Sequence, residues 1–182
     1  AMQTLWDAFL ATAAAHAAAP FLAAPARPGR GYLEDGAEFT YAEARAVAET
    51  LAEAWRAAGW GPGHRVVLAL DNHPAHFMHL LALNAAGIGE APFNPYYLQG
   101  ETEYFLDHSE AAIAVALPSN APKLAAARPG LPILPWSDDT DPGAFAPPPP
   151  PVPKRAEAPG AGTEAALFYT SGTTARPKGC II

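Results

Sequence analysis

The residues best suited to chemistry lie near the end of the sequence, in Leu167-Phe168-Tyr169-Thr170-Ser171-Gly172-Thr173-Thr174-Ala175-Arg176-Pro177-Lys178-Gly179. The stretch opens apolar, as the end of a buried strand does. It then turns to hydroxyls and glycine and closes on Pro-Lys-Gly. Thr170, Ser171, Thr173 and Thr174, interrupted only by Gly172, are poor core material. They suit a loop that wraps an anion, with backbone N–H and side-chain O–H groups donating and Lys178 adding a point charge. Gly172 permits a turn that a Cβ would hinder, and Pro177 fixes φ just before the lysine. The nearest generic pattern, G-x-x-x-x-G-K-[ST], fails twice when started at Gly172: Pro177 stands where glycine is needed, and Gly179 where Ser or Thr is needed.

Such a loop needs a rigid platform, and the preceding sequence alternates strand and helix patterns. Leu5, Trp6, Phe9, Leu10, Ala13 and Ala17 share one helical face and predict a docking helix. Asp35-Gly36, flanked by Tyr32-Leu33-Glu34 and Ala37-Glu38-Phe39, predicts a β-hairpin. Thr40 and Glu43 form a capping box for a helix that ends at Gly59. The apolar run Val66 to Leu70 predicts a strand buried on both faces. Pro74 opens the next helix, with Phe77, Leu80, Leu81 and Ala85 as its buried stripe and Gly87 as its end. Further strands are expected over residues 88–93, 112–117 and around Ile133, with helices over 101–107 and 121–127. This alternation predicts an α/β fold: a doubly wound, mostly parallel sheet with flanking helices. Residues 164–170 are expected to re-enter the sheet and deliver the loop at its carboxyl edge, where open α/β sheets bind ligands.

Between them the pattern stops. Pro147 to Pro151 are five consecutive prolines, which predicts a polyproline surface linker over residues 136–162. The expected division is an α/β subdomain over 1–135, this linker, and the strand and loop of 163–182 as the start of the next part of the domain.

Composition narrows the function. Half of the 182 residues are hydrophobic and 16% are charged, as in a folded chain. The formal charge of −7 argues against a nucleic-acid partner, which needs a basic face. No apolar run reaches the ~20 residues of a membrane span. The single cysteine, Cys180, fits a reducing, cytoplasmic setting and is expected to be a small buried residue. His73, His76 and His79 recur at intervals of three, so they share a helix side. They are read as the polar face of an amphipathic helix, with no metal site assigned. His108, beside Asp107, is read as a helix C-terminal residue.

The segment Tyr169-Thr170-Ser171-Gly172-Thr173-Thr174-x-x-Pro177-Lys178-Gly179 resembles the phosphate-binding signature of the adenylate-forming (AMP-binding) superfamily. Earlier landmarks follow the same order: Phe39-Thr40-Tyr41, Gly61-Pro62-Gly63-His64-Arg65-Val66, Asn72-His73-Pro74, Ala86-Gly87-Ile88 and Phe93-Asn94-Pro95. Two positions depart from the family, His64 in place of an aspartate and Ala175 in place of glycine or serine. At Ala175 a negative φ is expected.

The resemblance implies an ATP-dependent, AMP-forming acyl-CoA synthetase, a ligase of fatty acid metabolism. Its substrates would be a small-molecule carboxylate, ATP with Mg2+, and CoA. Lys178 would be the catalytic cation. Thr170, Ser171, Gly172, Thr173, Thr174, Arg176 and Gly179 would bind the phosphates. The chain resembles only the N-terminal part of such an enzyme and is expected to be inactive alone. The competing reading is a non-catalytic interaction module built on the same half-fold.

Overall fold

The structure is a computed structural model, and it describes residues 4–170 and 178–182. Helix α1 (Leu5–Ala15) starts at Thr4, whose hydroxyl accepts the Asp7 amide at 3.0 Å. It docks through Phe9 and Ala13, and the Asn84 side chain accepts the Trp6 amide at 2.9 Å.

Strands β1 (Pro20–Ala24) and β2 (Ala37–Thr40) pair antiparallel. This corrects the expected hairpin. Asp35-Gly36 does turn the chain into β2, but the partner strand is Pro20–Ala24, and Tyr32 to Glu34 lie in the connecting loop. Gly36 shows why a turn signal was present: its φ is +83°, and a Cβ there would stand 2.9 Å from the Ala26 backbone nitrogen.

Helix α2 (Tyr41–Ala57) carries the predicted capping box. Thr40 accepts the Glu43 amide, and the Glu43 carboxylate accepts the Thr40 amide at 2.8 Å. Hydrogen bonds from the Thr40 amide and hydroxyl hold the Glu43 carboxyl below its usual pKa range.

The central sheet is fully parallel, in the order β4-β3-β5-β6: β3 (Arg65–Ala69), β4 (Gly89–Pro92), β5 (Ile113–Ala116) and β6 (Ile133–Pro135). Alternate residues of β3 face opposite layers. Val66 and Leu68 pack with α2 and with α3 (Ala75–Ala86). Val67 and Ala69 pack with α4 (Gln99–Ser109) and α5 (Ala121–Ala127). The doubly wound arrangement is therefore present, and β3 is buried on both faces as its unbroken apolar run implies.

Helix α3 differs from expectation in its rotation. Of the expected stripe, Leu81 and Ala85 are buried, but Leu80 is half-buried and Phe77 is 52% exposed, whereas Met78, His79, Ala82 and Leu83 are buried. Apolar residues occur on nearly every side of Ala75–Ala86, so periodicity alone does not select the inner face. The histidines are consequently no polar face. His79 is fully buried and its ring meets the edges of Trp136 at 4.5 Å and Phe145 at 5.4 Å. His73 is buried beside Asp138, at 3.2 Å. His76 Nε2 lies 2.6 Å from Oε1 of the buried Glu90, at the distance of an ion pair but without the alignment of a hydrogen bond.

The proline-rich segment is also more than a spacer. Trp136 and Phe145 belong to the core. The Trp60 indole donates to the Pro148 carbonyl at 2.7 Å, His64 Nε2 lies 2.8 Å from the Val152 carbonyl, and the Arg155 amide donates to Pro62 at 2.8 Å. Aromatic side chains and carbonyl acceptors anchor a stretch whose composition signals only extension. The structure thus places His64, the departure from aspartate, as a ring contact to this strap.

Candidate phosphate-loop site

The loop is delivered by an antiparallel ribbon of β7 (Leu167–Thr170) and β8 (Lys178–Ile181). Register pairs Thr170 with Lys178 and Tyr169 with Gly179. A strand at β8 was not expected. The re-entry into the main sheet is correspondingly slight: among the described residues one parallel bridge joins Ala166 to Glu90, and the Glu90 amide donates to Ala165 at 3.0 Å. Upstream, Glu164 clamps Arg65 at the start of β3 with bonds of 2.6 and 2.9 Å, which holds the guanidinium above its usual pKa. Because the bridge is parallel, β7 leaves the sheet in the direction of β4. Thr170 therefore emerges at the carboxyl edge.

Of the site residues read from sequence, Thr170, Lys178 and Gly179 are described, and all three are exposed. Thr170 and Lys178 face each other at the mouth of the ribbon. Ser171, Gly172, Thr173, Thr174 and Arg176 lie outside the described residues, as does Ala175 with its expected φ. Cys180 is a correction: it is exposed, not buried. Register pairs it with Phe168 on the outward side of the ribbon, where Phe168 is itself 42% exposed.

Two residues to which the sequence assigns no site role meet beside β7. Tyr169 packs edge-on against Phe105 at 5.1 Å, and its hydroxyl lies 2.9 Å from His108 Nδ1. Burial is the main reason that the Tyr169 phenol is pushed up to about 12, so it stays protonated and can donate to His108. Across the same edge, strand order reverses at β3, and the Asn120 amide bridges the Ala69 carbonyl at 2.9 Å and the Asp71 carboxylate at 2.8 Å. An adjoining cavity of about 420 Å³ is lined by Arg27, Tyr32, Asp71, Asn72 and Tyr96 among others. The edge thus combines a crevice at the strand-order switch with Thr170 and Lys178, which flank the hydroxyl-rich segment 171–177. That combination fits a phosphate-bearing ligand.

The profile of the AMP-binding enzyme family matches residues 11–182. The chain belongs to that family. It is 34% identical over 147 residues to a feruloyl-CoA synthase of Amycolatopsis sp, an alignment covering 81% of this chain and 28% of that protein. It is also 34% identical over 145 residues to the nonribosomal peptide synthetase anaPS of Neosartorya fischeri, covering 79% of this chain and 6% of that protein. Among solved structures, ATP-bound MatB from Rhodopseudomonas palustris matches with a TM-score of 0.64 and 30% identity, over 81% of this chain and 30% of that one. The chain therefore spans less than a third of the length of each of these relatives.

Among the described residues no helix is long and apolar enough to cross a membrane. No group of His, Cys, Asp and Glu among them is arranged to hold a metal ion.

Proposed function

We propose that these residues form the N-terminal portion of an ATP-dependent, AMP-forming acyl-CoA synthetase of the cytoplasm. In that reaction a carboxylate oxygen attacks the α-phosphorus of ATP, pyrophosphate leaves, and an acyl-adenylate forms. The CoA thiolate then attacks the acyl carbon and AMP leaves. The observation that carries the reading is the placement of Thr170 opposite Lys178 at the carboxyl edge of a parallel sheet, bracketing the hydroxyl-rich segment 171–177.

Lys178 stabilises negative charge on the departing pyrophosphate. Thr170, Ser171, Gly172, Thr173, Thr174, Arg176 and Gly179 cradle the phosphates, supplying preorganised donors where charge develops. Mg2+ would come with ATP and would offset negative charge on its phosphates. We assign 1–135 to the α/β subdomain, 136–162 to the anchored proline-rich strap, and 163–182 to the beginning of the next part of the domain.

The likeness to a peptide synthetase favours a second reading in which the acceptor thiol belongs to a carrier protein. Carboxylate-dependent ATP–pyrophosphate exchange by the full-length protein, with ferulate in the panel, tests adenylation. Free CoA thioester in the same mixture selects the synthetase, and its absence beside robust exchange selects the carrier. The 182-residue piece alone is expected to show background exchange, because positioning of both substrates supplies much of the rate. Exchange by the isolated piece would overturn that expectation.

A further inference from the structure

The geometry points to His108 as a positioning residue for the phosphate loop, holding both strands that carry it; this rests on the reading of residues 170–179 given above. His108 sits in the last turn of α4, a helix fixed in the core by Phe105 and Leu106. Its Nδ1 lies 2.9 Å from the Tyr169 hydroxyl on β7. On β8, the residue in register with Tyr169 is Gly179, where a Cβ would stand 3.3 Å from His108 Cε1 and 3.0 Å from Leu167 Cδ1. One imidazole therefore bonds Tyr169 and fills the space beside Gly179, the two members of the last register pair before Thr170 and Lys178.

Besides His108, the described ties of β7 are the packing of Tyr169 on Phe105 and the burial of Leu167. Its only bridge to the main sheet among the described residues is at Ala166, four residues upstream of Thr170. A two-stranded ribbon is marginal by itself, so a side-chain tie near its mouth controls where the two ends of the loop point. Gly179 fits the same account. Its bare backbone lets β8 close onto the imidazole, and a phosphate loop set on a rigid helix is held to tighter geometry than one set on another loop.

The test uses the full-length protein with His108→Ala, His108→Asn, His108→Gln and Tyr169→Phe. Asparagine places a polar atom where Nδ1 stands, whereas glutamine reaches to the position of Nε2. MgATP affinity is read by calorimetry, and backbone amide exchange of β7 and β8 by mass spectrometry. Loss of one such hydrogen bond predicts a rise of about three- to tenfold in the MgATP Kd for His108→Ala and for Tyr169→Phe, with exchange faster by a similar factor. His108→Asn restores both to within about twofold, and His108→Gln does not. The double variant His108→Ala/Tyr169→Phe is no worse than either single one, because both remove the same interaction. Unchanged ribbon exchange in Tyr169→Phe, which deletes one oxygen and leaves the fold in place, overturns the proposal, as does a double variant whose effect is the product of the singles. Failure of the unsubstituted protein to bind MgATP would instead refute the functional reading, and ribbon exchange would still decide the role of His108.

Discussion

Replacing His79 with leucine should stabilise the protein, and more so in acid. The ring is fully buried, and neither nitrogen has a hydrogen-bond partner among the described residues. Burial is the chief cause of its pKa falling from about 6.5 to about 3. Above pH 6.5 both folded and unfolded chains hold a neutral imidazole. Below it the unfolded chain binds a proton that the folded one refuses, so stability is full above pH 6.5 and is lost as pH falls toward 3. At pH 5 this separation amounts to about 2 kcal/mol, and the figure is insensitive to whether the folded value is 3 or 4.

Leucine removes both the unpaired nitrogens, whose burial costs ~1–3 kcal/mol, and the titration. It forfeits an edge contact with Trp136 of ~0.5–1.5 kcal/mol. The His79→Leu variant should therefore gain about 1 kcal/mol at pH 8 and about 3 kcal/mol at pH 5. Urea unfolding of both proteins at the two pH values reads this directly. His73, also lowered by burial with Asp138 pulling it back, is common to both and cancels. A gap that stays constant between pH 8 and pH 5 would refute the reasoning.

Trp60→Phe should lower stability by about 1–3 kcal/mol, because the Pro148 carbonyl loses its donor and a buried volume shrinks; limited proteolysis should then cut faster within 146–162. Unchanged cleavage would mean that the strap is held elsewhere. Gly36→Ala should drop the melting temperature by roughly 4 °C or more. The +83° φ contributes ~1–2 kcal/mol of strain, and the backbone of Ala24 and Ala26 cannot yield to a Cβ. An unaltered melting curve would show that the turn relaxes.

The sheet was legible because β3 and β5 are short unbroken apolar runs punctuated by Gly, Pro and capping residues: Val66 to Leu70, Ala112 to Leu117 and the Thr40–Glu43 box each speak locally. What stayed hidden depends on partners distant in sequence. The β1 strand, Pro20–Ala24, is rich in alanine and carries little β-propensity, and its pairing with β2 is set by the fold. The inward turn of His79 follows from Trp136 and Phe145 arriving from a segment that composition marks as a linker. Likewise β8 exists because Lys178 to Ile181 finds β7, which also places Cys180 outward. Of the candidate site, the loop chemistry was written in the residues. Its mounting on His108 and Tyr169 was not, since an aromatic before the loop and a histidine at a helix end are each ordinary alone.

The central claim is that Lys178 and the hydroxyl loop act on the phosphates of ATP. The most direct test is carboxylate-dependent ATP–pyrophosphate exchange by the full-length protein and its Lys178→Ala variant, with circular dichroism confirming an intact fold. Losing one preorganised charge that faces the leaving group predicts a fall of about 10²–10³ in rate. A fall of less than about threefold, with the fold intact, would contradict the claim: in transition-state terms that is under ~0.7 kcal/mol, too little for a residue that stabilises the departing pyrophosphate.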